Sequence, residues 1–219
     1  MELLDVINTN GTCRFYKEDP VDGELIVKLL QAAQKGPSGS NRQPVQFLVV
    51  RDAEKRQAIQ DLYLPIWDQY MAKARSGEWK VGGAEKFLSN ADHFAQNLAK
   101  VPVHVVVCFN IEDVQPIDAG LDRPSVVGGS SIYPVIQNFM LAARNEGLGT
   151  TLTTLLCLAE TDLRPVLGIP DTVATAAVVT LGWPEKPFPK KLKRRPLRDI
   201  TFGDTYGDVM PEVNTILNK

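Results

Sequence analysis

The sequence predicts an α+β fold in which amphipathic helices pack on a sheet of a few buried strands. Three apolar runs have the length of such strands, at 45–50, 101–109 and 173–181. Helical patterns separate them, and the clearest begins at Ser130 or Ser131 and carries an apolar stripe to Ala143. With 219 residues, 44% of them hydrophobic, the chain is long enough for one compact domain over 1–219.

The elements before residue 100 are predicted from caps and apolar spacing. Asp22 is a candidate N-cap for a helix over 23–35, where apolar residues recur at three- and four-residue intervals. Asp52 opens a helix that runs toward Tyr63. The same patterns predict two further helices, over 3–7 and 84–100.

The C-terminal part is less regular. Residues 150–156 are either a short strand or a loop, and a short helix over 161–167 is closed by Gly168. Residues 185–219 form an extended arm rich in Pro and Lys, with a weak helix from Glu212. Such an arm either wraps around a second chain or is a flexible tail.

Two long connections lie between the predicted elements. The segment 64–83 mixes aromatic residues with Pro65 and the pair Gly82-Gly83. It either lies over a ligand or forms peripheral helices that pack on the core. The connection 110–129, rich in Pro and Gly, is the second place where we expect substrate choice to be determined.

Composition excludes several classes of protein. The formal net charge of −2 gives no indication of a nucleic-acid partner, and no apolar stretch is long enough to span a membrane. Cys13, Cys108 and Cys157 are scattered without C-x-x-C spacing, which argues against a disulfide framework or a zinc site. Together with an N-terminus that lacks a signal-peptide pattern, this predicts a cytoplasmic protein.

The common catalytic motifs are absent from the sequence. It contains no G-x-G-x-x-G, no G-x-x-x-x-G-K, no H-E-x-x-H and no G-x-S-x-G. The two histidines, His93 and His104, fall in a predicted helix and a buried strand. If the chain is an enzyme, the difficult chemistry therefore belongs to a cofactor.

One polar loop stands out between the helix over 23–35 and the first strand. Gly36 and Gly39 allow backbone conformations that other residues avoid, and between Pro37 and Pro44 four polar side chains follow one another at 40–43. The loop is either a well-capped turn or a site that presents amides and hydroxyls to a flat polar ligand.

Four separated stretches together resemble the FMN-dependent nitroreductase family. They are Thr12-Cys13-Arg14-Phe15-Tyr16 with Pro20-Val21, the loop Gly36 to Pro44, Gln137 to Ala143 with Gly147-Leu148-Gly149-Thr150, and Leu181-Gly182-Trp183-Pro184 with Arg194-Arg195-Pro196-Leu197. Each stretch alone is a weak signal. Their order and spacing across 12–197 make the combination specific.

The resemblance implies an α/β sandwich with a mixed central sheet flanked by helices. It also implies an intertwined homodimer, with the arm 185–219 crossing to the partner subunit and FMN at the interface. The implied activity is that of an FMN-dependent oxidoreductase. NADPH or NADH reduces the flavin, and a nitroaromatic, quinone or related small-molecule acceptor then reoxidises it by a ping-pong mechanism.

The resemblance also assigns the site residues. The implied cofactor contacts are Thr12, Arg14, Pro37, Ser38, Gly39, Asn41, Gln43, Thr153, Thr154, Leu155 and Arg194. Neither a metal nor a catalytic side chain is implied, because the chemistry takes place at flavin N5. An arginine can pair with the FMN phosphate or stabilise the reduced ring. For Arg14 both roles are open.

Two departures from the family pattern leave questions open. Asn10-Gly11 stand where the family often has two arginines, and Gly11 is expected to offer a backbone N–H instead; Val45 replaces the usual tryptophan. Reductive dehalogenation, fragmentation of the flavin, or flavin storage or regulation without turnover are the alternative functions.

Overall fold

The computed structural model describes residues 1–78 and 85–216, except the side chains of 85–87 and 214–216. The helices are α1 (Leu3–Thr9), α2 (Gly23–Ala33), α3 (Ala53–Ser76), α4 (Glu85–Gln96), α5 (Tyr133–Asn145), α6 (Glu160–Leu167) and α7 (Pro211–Ile216). The strands are β1 (Val45–Val50), β2 (Val103–Asn110), β3 (Gly149–Thr153) and β4 (Val173–Gly182). The predicted α+β class is confirmed, and the segment that was either strand or loop contains β3.

The described strands form a sheet in the order β1-β2-β4-β3, with every pairing antiparallel. The expectation of a mixed sheet is wrong for these strands. The cause lies between β1 and β2, where α4 runs back along α3. Ala99 N–H donates to Gln60 Oε1 at 2.7 Å, and Trp67 Nε1 donates to Asp92 Oδ1 at 3.0 Å. The chain therefore returns to the end of the sheet that it left, and the next strand runs in the opposite direction.

Helices cover both faces of the sheet. On one face, α2 and α5 pack on Val103, Val105 and Val107 of β2. On the other face, α3 and α6 pack on Val106 and Cys108. Because successive side chains of a strand point to opposite faces, β2 is buried on both sides, which explains its continuous apolar sequence.

Helix α3 is longer than predicted. The expected end was near Tyr63, but the helix continues through Pro65 to Ser76. A proline inside a helix costs about 3 kcal/mol. The side chains of Tyr63, Trp67 and Met71, four residues apart, are buried on the core, and each buried side chain of this size contributes about 1.5–3 kcal/mol. Packing on the core is thus confirmed for the described part of segment 64–83; residues 79–84 lie outside it.

The chain divides into two compact units, Met1–Pro189 and Lys190–Lys219. The second unit contains a 3-10 turn at Leu197–Asp199, a bridge between Phe202 and Val209, and α7. The predicted terminal helix is therefore present. The predicted arm began at 185, but Glu185 N–H donates to the Phe15 carbonyl at 3.0 Å, within the first unit. The crossing of the arm to a second chain stays a prediction.

Candidate functional site

The opening segment, residues 12–17, lies beside β3 and beside the residues that follow β4. Cys13 N–H donates to a carbonyl of β3 at 2.9 Å. The Tyr16 hydroxyl lies 3.0 Å from Thr151 Oγ1 and 2.9 Å from Thr180 Oγ1. These hydrogen bonds hold the segment against β3 and β4. The backbone positions from which its side chains extend are therefore fixed.

A cleft of about 330 Å³, here called the main cleft, opens between the opening segment, the end of β3 and helices α3 and α4. Its lining consists of Thr12, Arg14, Tyr63, Trp67, Tyr70, Leu88, Ala91, Phe94 and residues 151–155. Five predicted site residues are among them: Thr12, Arg14, Thr153, Thr154 and Leu155. The fold thus brings together two stretches that are far apart in sequence.

One wall of the main cleft is aromatic. The rings of Tyr63 and Trp67 stack with centroids 6.3 Å apart, and those of Trp67 and Tyr70 with centroids 5.8 Å apart. The sequence contains aromatic residues in segment 64–83 but predicts a helix end near Tyr63. The four-residue interval from Tyr63 to Trp67 was the signal for one continuous helical wall. A flat, largely apolar ligand fits such a surface.

Arg14 brings a partly desolvated cation to this cleft. Burial lowers the pKa of the Arg14 guanidinium, while Tyr16 and Tyr63 act in the opposite direction. Burial also raises the pKa of Tyr63, whose hydroxyl accepts a hydrogen bond from Thr153 Oγ1 at 3.4 Å. Because an arginine stays protonated in proteins, the cleft offers one cation and neutral hydroxyl groups to a ligand with an electron-rich edge.

A smaller cavity of about 170 Å³ adjoins the main cleft, and Thr12 and Arg14 line both. Lys186 lies in its wall, with Nζ 2.9 Å from the centre of the Phe15 ring. Gly11 also lines this cavity, but its N–H already donates to the carbonyl two residues earlier at 2.9 Å. The expectation that Gly11 offers its N–H to a ligand is therefore not supported, and Lys186 is a cation that the sequence analysis missed.

The polar loop, residues 36–44, holds three non-glycine residues in the left-handed backbone region. The φ angle is 52° at Ser40 and 51° at Asn41 and Gln43. Each such residue costs on the order of 1–3 kcal/mol and persists only where its surroundings fix it. A capped turn does not need this strain, so the conformation favours the interpretation as a ligand-binding loop.

The glycines of the polar loop act differently from the prediction. The left-handed residues are not Gly36 or Gly39. A Cβ on Gly36 would lie 2.7 Å from the Val135 side chain and 2.8 Å from its backbone nitrogen, so Gly36 permits close approach to α5. A Cβ on Gly39 would make only an ordinary contact, 3.8 Å from Ser131 Oγ.

The polar loop and the main cleft lie on opposite faces of the sheet. The loop borders Val135 of α5, which packs with α2 on one face. The main cleft is walled by α3 and α4, which pack on the other face. The structure therefore places a second set of predicted residues apart from the first, namely Pro37, Ser38, Gly39, Asn41 and Gln43.

Arg194, the last predicted contact, belongs to the second unit. It is exposed, and its Nη1 donates to the Lys193 carbonyl at 2.9 Å. Its role at a phosphate stays a prediction.

Three groups that carry chemistry in many enzymes are neutral here. Burial raises the pKa of Cys13 and Cys108 to about 11, so both are thiols at neutral pH. Burial also lowers the pKa of His104 to about 4. These side chains therefore do not supply a thiolate or an imidazolium near pH 7.

Within residues 1–78 and 88–213, whose side chains are described, no group of three or more His, Cys, Asp or Glu is placed to hold a metal ion. Among the helices of residues 1–78 and 85–216, none is long and apolar enough to cross a membrane.

A helix-covered antiparallel sheet with an aromatic, cation-bearing cleft at its edge defines an α+β protein. The model of the nitroreductase family matches residues 10–183. The chain belongs to this family, as the four sequence stretches predicted.

Individual proteins show the same relationship. The chain is 30% identical over 192 residues to a "Putative NADH dehydrogenase/NAD(P)H nitroreductase" of Archaeoglobus fulgidus, covering 85% of this chain and 89% of the relative. It is 25% identical over 201 residues to mouse iodotyrosine deiodinase 1, covering 91% of this chain and 68% of that relative. The structure of the Vibrio harveyi NADPH:FMN oxidoreductase complexed with NAD+ superposes with a TM-score of 0.67 at 19% identity. The superposition covers 98% of this chain and 82% of the Vibrio harveyi chain. This last likeness shows the shared fold.

Proposed function

We propose that this protein is an FMN-dependent NAD(P)H oxidoreductase that reduces nitroaromatic compounds, quinones or related acceptors. The main cleft carries the proposal, because Thr12, Arg14 and residues 153–155 meet there beside a stacked aromatic wall. The nitroreductase family and the names of its NAD(P)H-dependent and FMN-dependent members support the same cofactors.

The two adjoining cavities have the chemistry that the parts of FMN require. The aromatic wall and threonine hydroxyls of the main cleft suit a flat ring with one polar edge. Lys186 gives the smaller cavity a cation, which suits a phosphate. Thr12 and Arg14 line both cavities, so one elongated ligand could contact all of these groups.

FMN, when bound, supplies the centre that accepts hydride from NADPH or NADH and delivers it to the acceptor. The chain's own residues bind FMN and orient its ring. Arg14 favours negative charge on a nearby ring edge, and partial burial strengthens that effect. The wall of Tyr63, Trp67 and Tyr70 provides a dry flat surface.

We propose that the working form is a homodimer in which the polar loop of one copy completes the main cleft of the other. The support is that the two sets of predicted residues lie on opposite faces of the sheet within one chain. Apolar side chains on α1, α2 and α5 offer a surface for a second copy; Leu3, Leu4, Val27 and Tyr133 are exposed by 65%, 69%, 54% and 45%. Light scattering tests the proposal, and a stable monomer that holds FMN would contradict it.

Acceptor-dependent oxidation of NADPH or NADH is the direct test of activity. Turnover with a nitroaromatic or a quinone supports the proposed reaction, and flavin binding without turnover would favour a storage or regulatory protein. Reductive dehalogenation is a second candidate, which the similarity to mouse iodotyrosine deiodinase 1 favours. Incubation with iodotyrosine and analysis of released iodide distinguishes it. Product analysis in air would reveal fragmentation of the flavin.

A further inference from the structure

The connection between β2 and α5 folds around one buried carboxylate. Asp118 is only 4% exposed. Its oxygens accept hydrogen bonds from Arg123 Nη1 at 2.8 Å, Ser125 Oγ at 2.7 Å and Val126 N–H at 2.9 Å. Val127 N–H lies 3.3 Å from Oδ1. Because several donors converge on it, Asp118 fixes the path of the chain that leads into α5.

The end of this connection contacts the polar loop directly. The Val127 carbonyl accepts from Ser130 N–H at 3.0 Å, and this turn presents the next residue, Ser131, to the loop. Ser131 Oγ accepts a hydrogen bond from Gly39 N–H at 3.0 Å. The turn that Asp118 holds therefore ends at a hydrogen bond to the loop.

A second contact joins the same two segments. With its amide oxygen turned toward Arg42, the Gln115 side chain accepts from Nη1 at 2.9 Å and from Nη2 at 3.2 Å. A cavity of about 230 Å³ lies between the loop and the connection, and both residues line it. The connection thus supports the polar loop at two points, on either side of Asn41.

The strain of the loop requires such support. Three exposed residues near the loop tip, Ser40, Asn41 and Gln43, are in the left-handed region, and a free loop would relax to conformations of lower energy. If only a fraction of molecules holds the binding conformation, the apparent affinity for a ligand falls by that fraction. A support that raises the fraction raises the affinity without touching the ligand.

We propose that Ser131 and Asp118 are positioning residues for the polar loop: Ser131 holds Gly39, and Asp118 holds the turn that places Ser131. The inference rests on the proposed function where it takes FMN to be the loop's ligand. The support itself is a property of the chain alone, so it can be tested with and without FMN.

The first experiment uses the FMN-free full-length protein. Ser131→Ala removes the acceptor of Gly39 N–H. Because the loop then loses the net stabilisation of one hydrogen bond, amide hydrogen exchange across 38–43 is expected to accelerate about fivefold. Ser131→Thr keeps the hydroxyl and should exchange as the wild type does. Ser130→Ala is the matched control, since that exposed neighbour donates to Val127 through its backbone. Equal exchange in Ser131→Ala and the wild type would overturn the proposal.

The second experiment measures FMN affinity by fluorescence quenching. Ser131→Ala should bind FMN about fivefold more weakly at an unchanged melting temperature, with Ser131→Thr and Ser130→Ala near the wild type. Asp118→Asn should weaken binding at least as much, against the exposed control Asp122→Asn. Wild-type affinity in both Ser131→Ala and Asp118→Asn would overturn the positioning role. If the wild type binds no FMN while Ser131→Ala accelerates exchange, the support stands and the proposed function fails.

Discussion

Trp67 Nε1 donates a hydrogen bond to Asp92 Oδ1 at 3.0 Å, which ties α3 to α4 at the aromatic wall of the main cleft. Trp67 is only 6% exposed, so its N–H would have little access to water without this acceptor. The contact therefore fixes both the return of the chain between β1 and β2 and the position of the aromatic wall.

Replacement of Asp92 should destabilise the protein. Asp92→Ala leaves a buried donor unpaired, and such a group costs about 1–3 kcal/mol. Urea unfolding measures the difference. Asp68→Ala, at an exposed position of α3, is the control and should change the free energy of unfolding little. Equal stabilities of the two variants would contradict this role of Asp92.

Stability should fall on acidification because of His104. Its Nε2 lies 2.9 Å from the Leu98 carbonyl, and its Nδ1 is buried without a hydrogen-bond partner in the described chain. Burial lowers its pKa from 6.5 to about 4, so the unfolded state binds more protons between these pH values. The stabilisation is fully present above pH 6.5 and is lost as the pH falls to 4, by about 3 kcal/mol in total.

Urea unfolding at pH 7 and pH 5 tests this dependence. His104→Gln should lose less stability between the two pH values than the wild type does, although its stability at pH 7 is lower. The control is His93→Gln, because His93 is exposed. Identical pH dependence in the wild type and His104→Gln would show that His104 is not the group responsible.

Arg14 should contribute to binding of the flavin ring. A hydrogen bond to a charged group contributes about 1.5–3 kcal/mol, so Arg14→Met should weaken FMN roughly ten- to a hundredfold. Because Arg14 lines the cleft with the aromatic wall, riboflavin should be weakened as well. Lys17→Met, at an exposed neighbouring position, is the control. If Arg14→Met weakens FMN but leaves riboflavin unchanged, the arginine serves the phosphate instead.

Arg194 should act on the phosphate. Arg194→Ala is expected to weaken FMN on the order of ten- to a hundredfold and to leave riboflavin unchanged. Lys193→Ala is the control, because a diffuse basic surface would make both replacements weaken FMN to the same extent. Salt should also screen the effect of a diffuse surface. If Arg194→Ala and Lys193→Ala bind FMN with the same affinity, a specific role of Arg194 is excluded.

The sequence predicted the helices and strands well where one pattern dominated. The continuous apolar run of β2 and the Asp22 cap of α2 follow local rules, and both are present. Helix α3 was predicted too short because Pro65 is a local signal for an end, whereas the buried stripe that outweighs it depends on tertiary packing. The direction of the strands depended on how α4 packs on α3, which periodicity alone does not determine.

The site was predicted in part. The motifs identified Thr12, Arg14 and residues 153–155, which the fold brings together in the main cleft. They did not indicate that the polar loop lies on the other face, because a local motif carries no information about which face of the sheet it borders. Lys186 was missed since its position depends on a contact with Phe15 that no local pattern encodes.

Flavin content is the measurement that tests the central claim most directly. The protein purified without added cofactor should show visible flavin absorbance, and its heat-released supernatant should contain FMN and not FAD. NADPH or NADH added under anaerobic conditions should bleach that absorbance, and an acceptor such as a quinone should restore it. A colourless protein that also fails to bind added FMN would contradict the account.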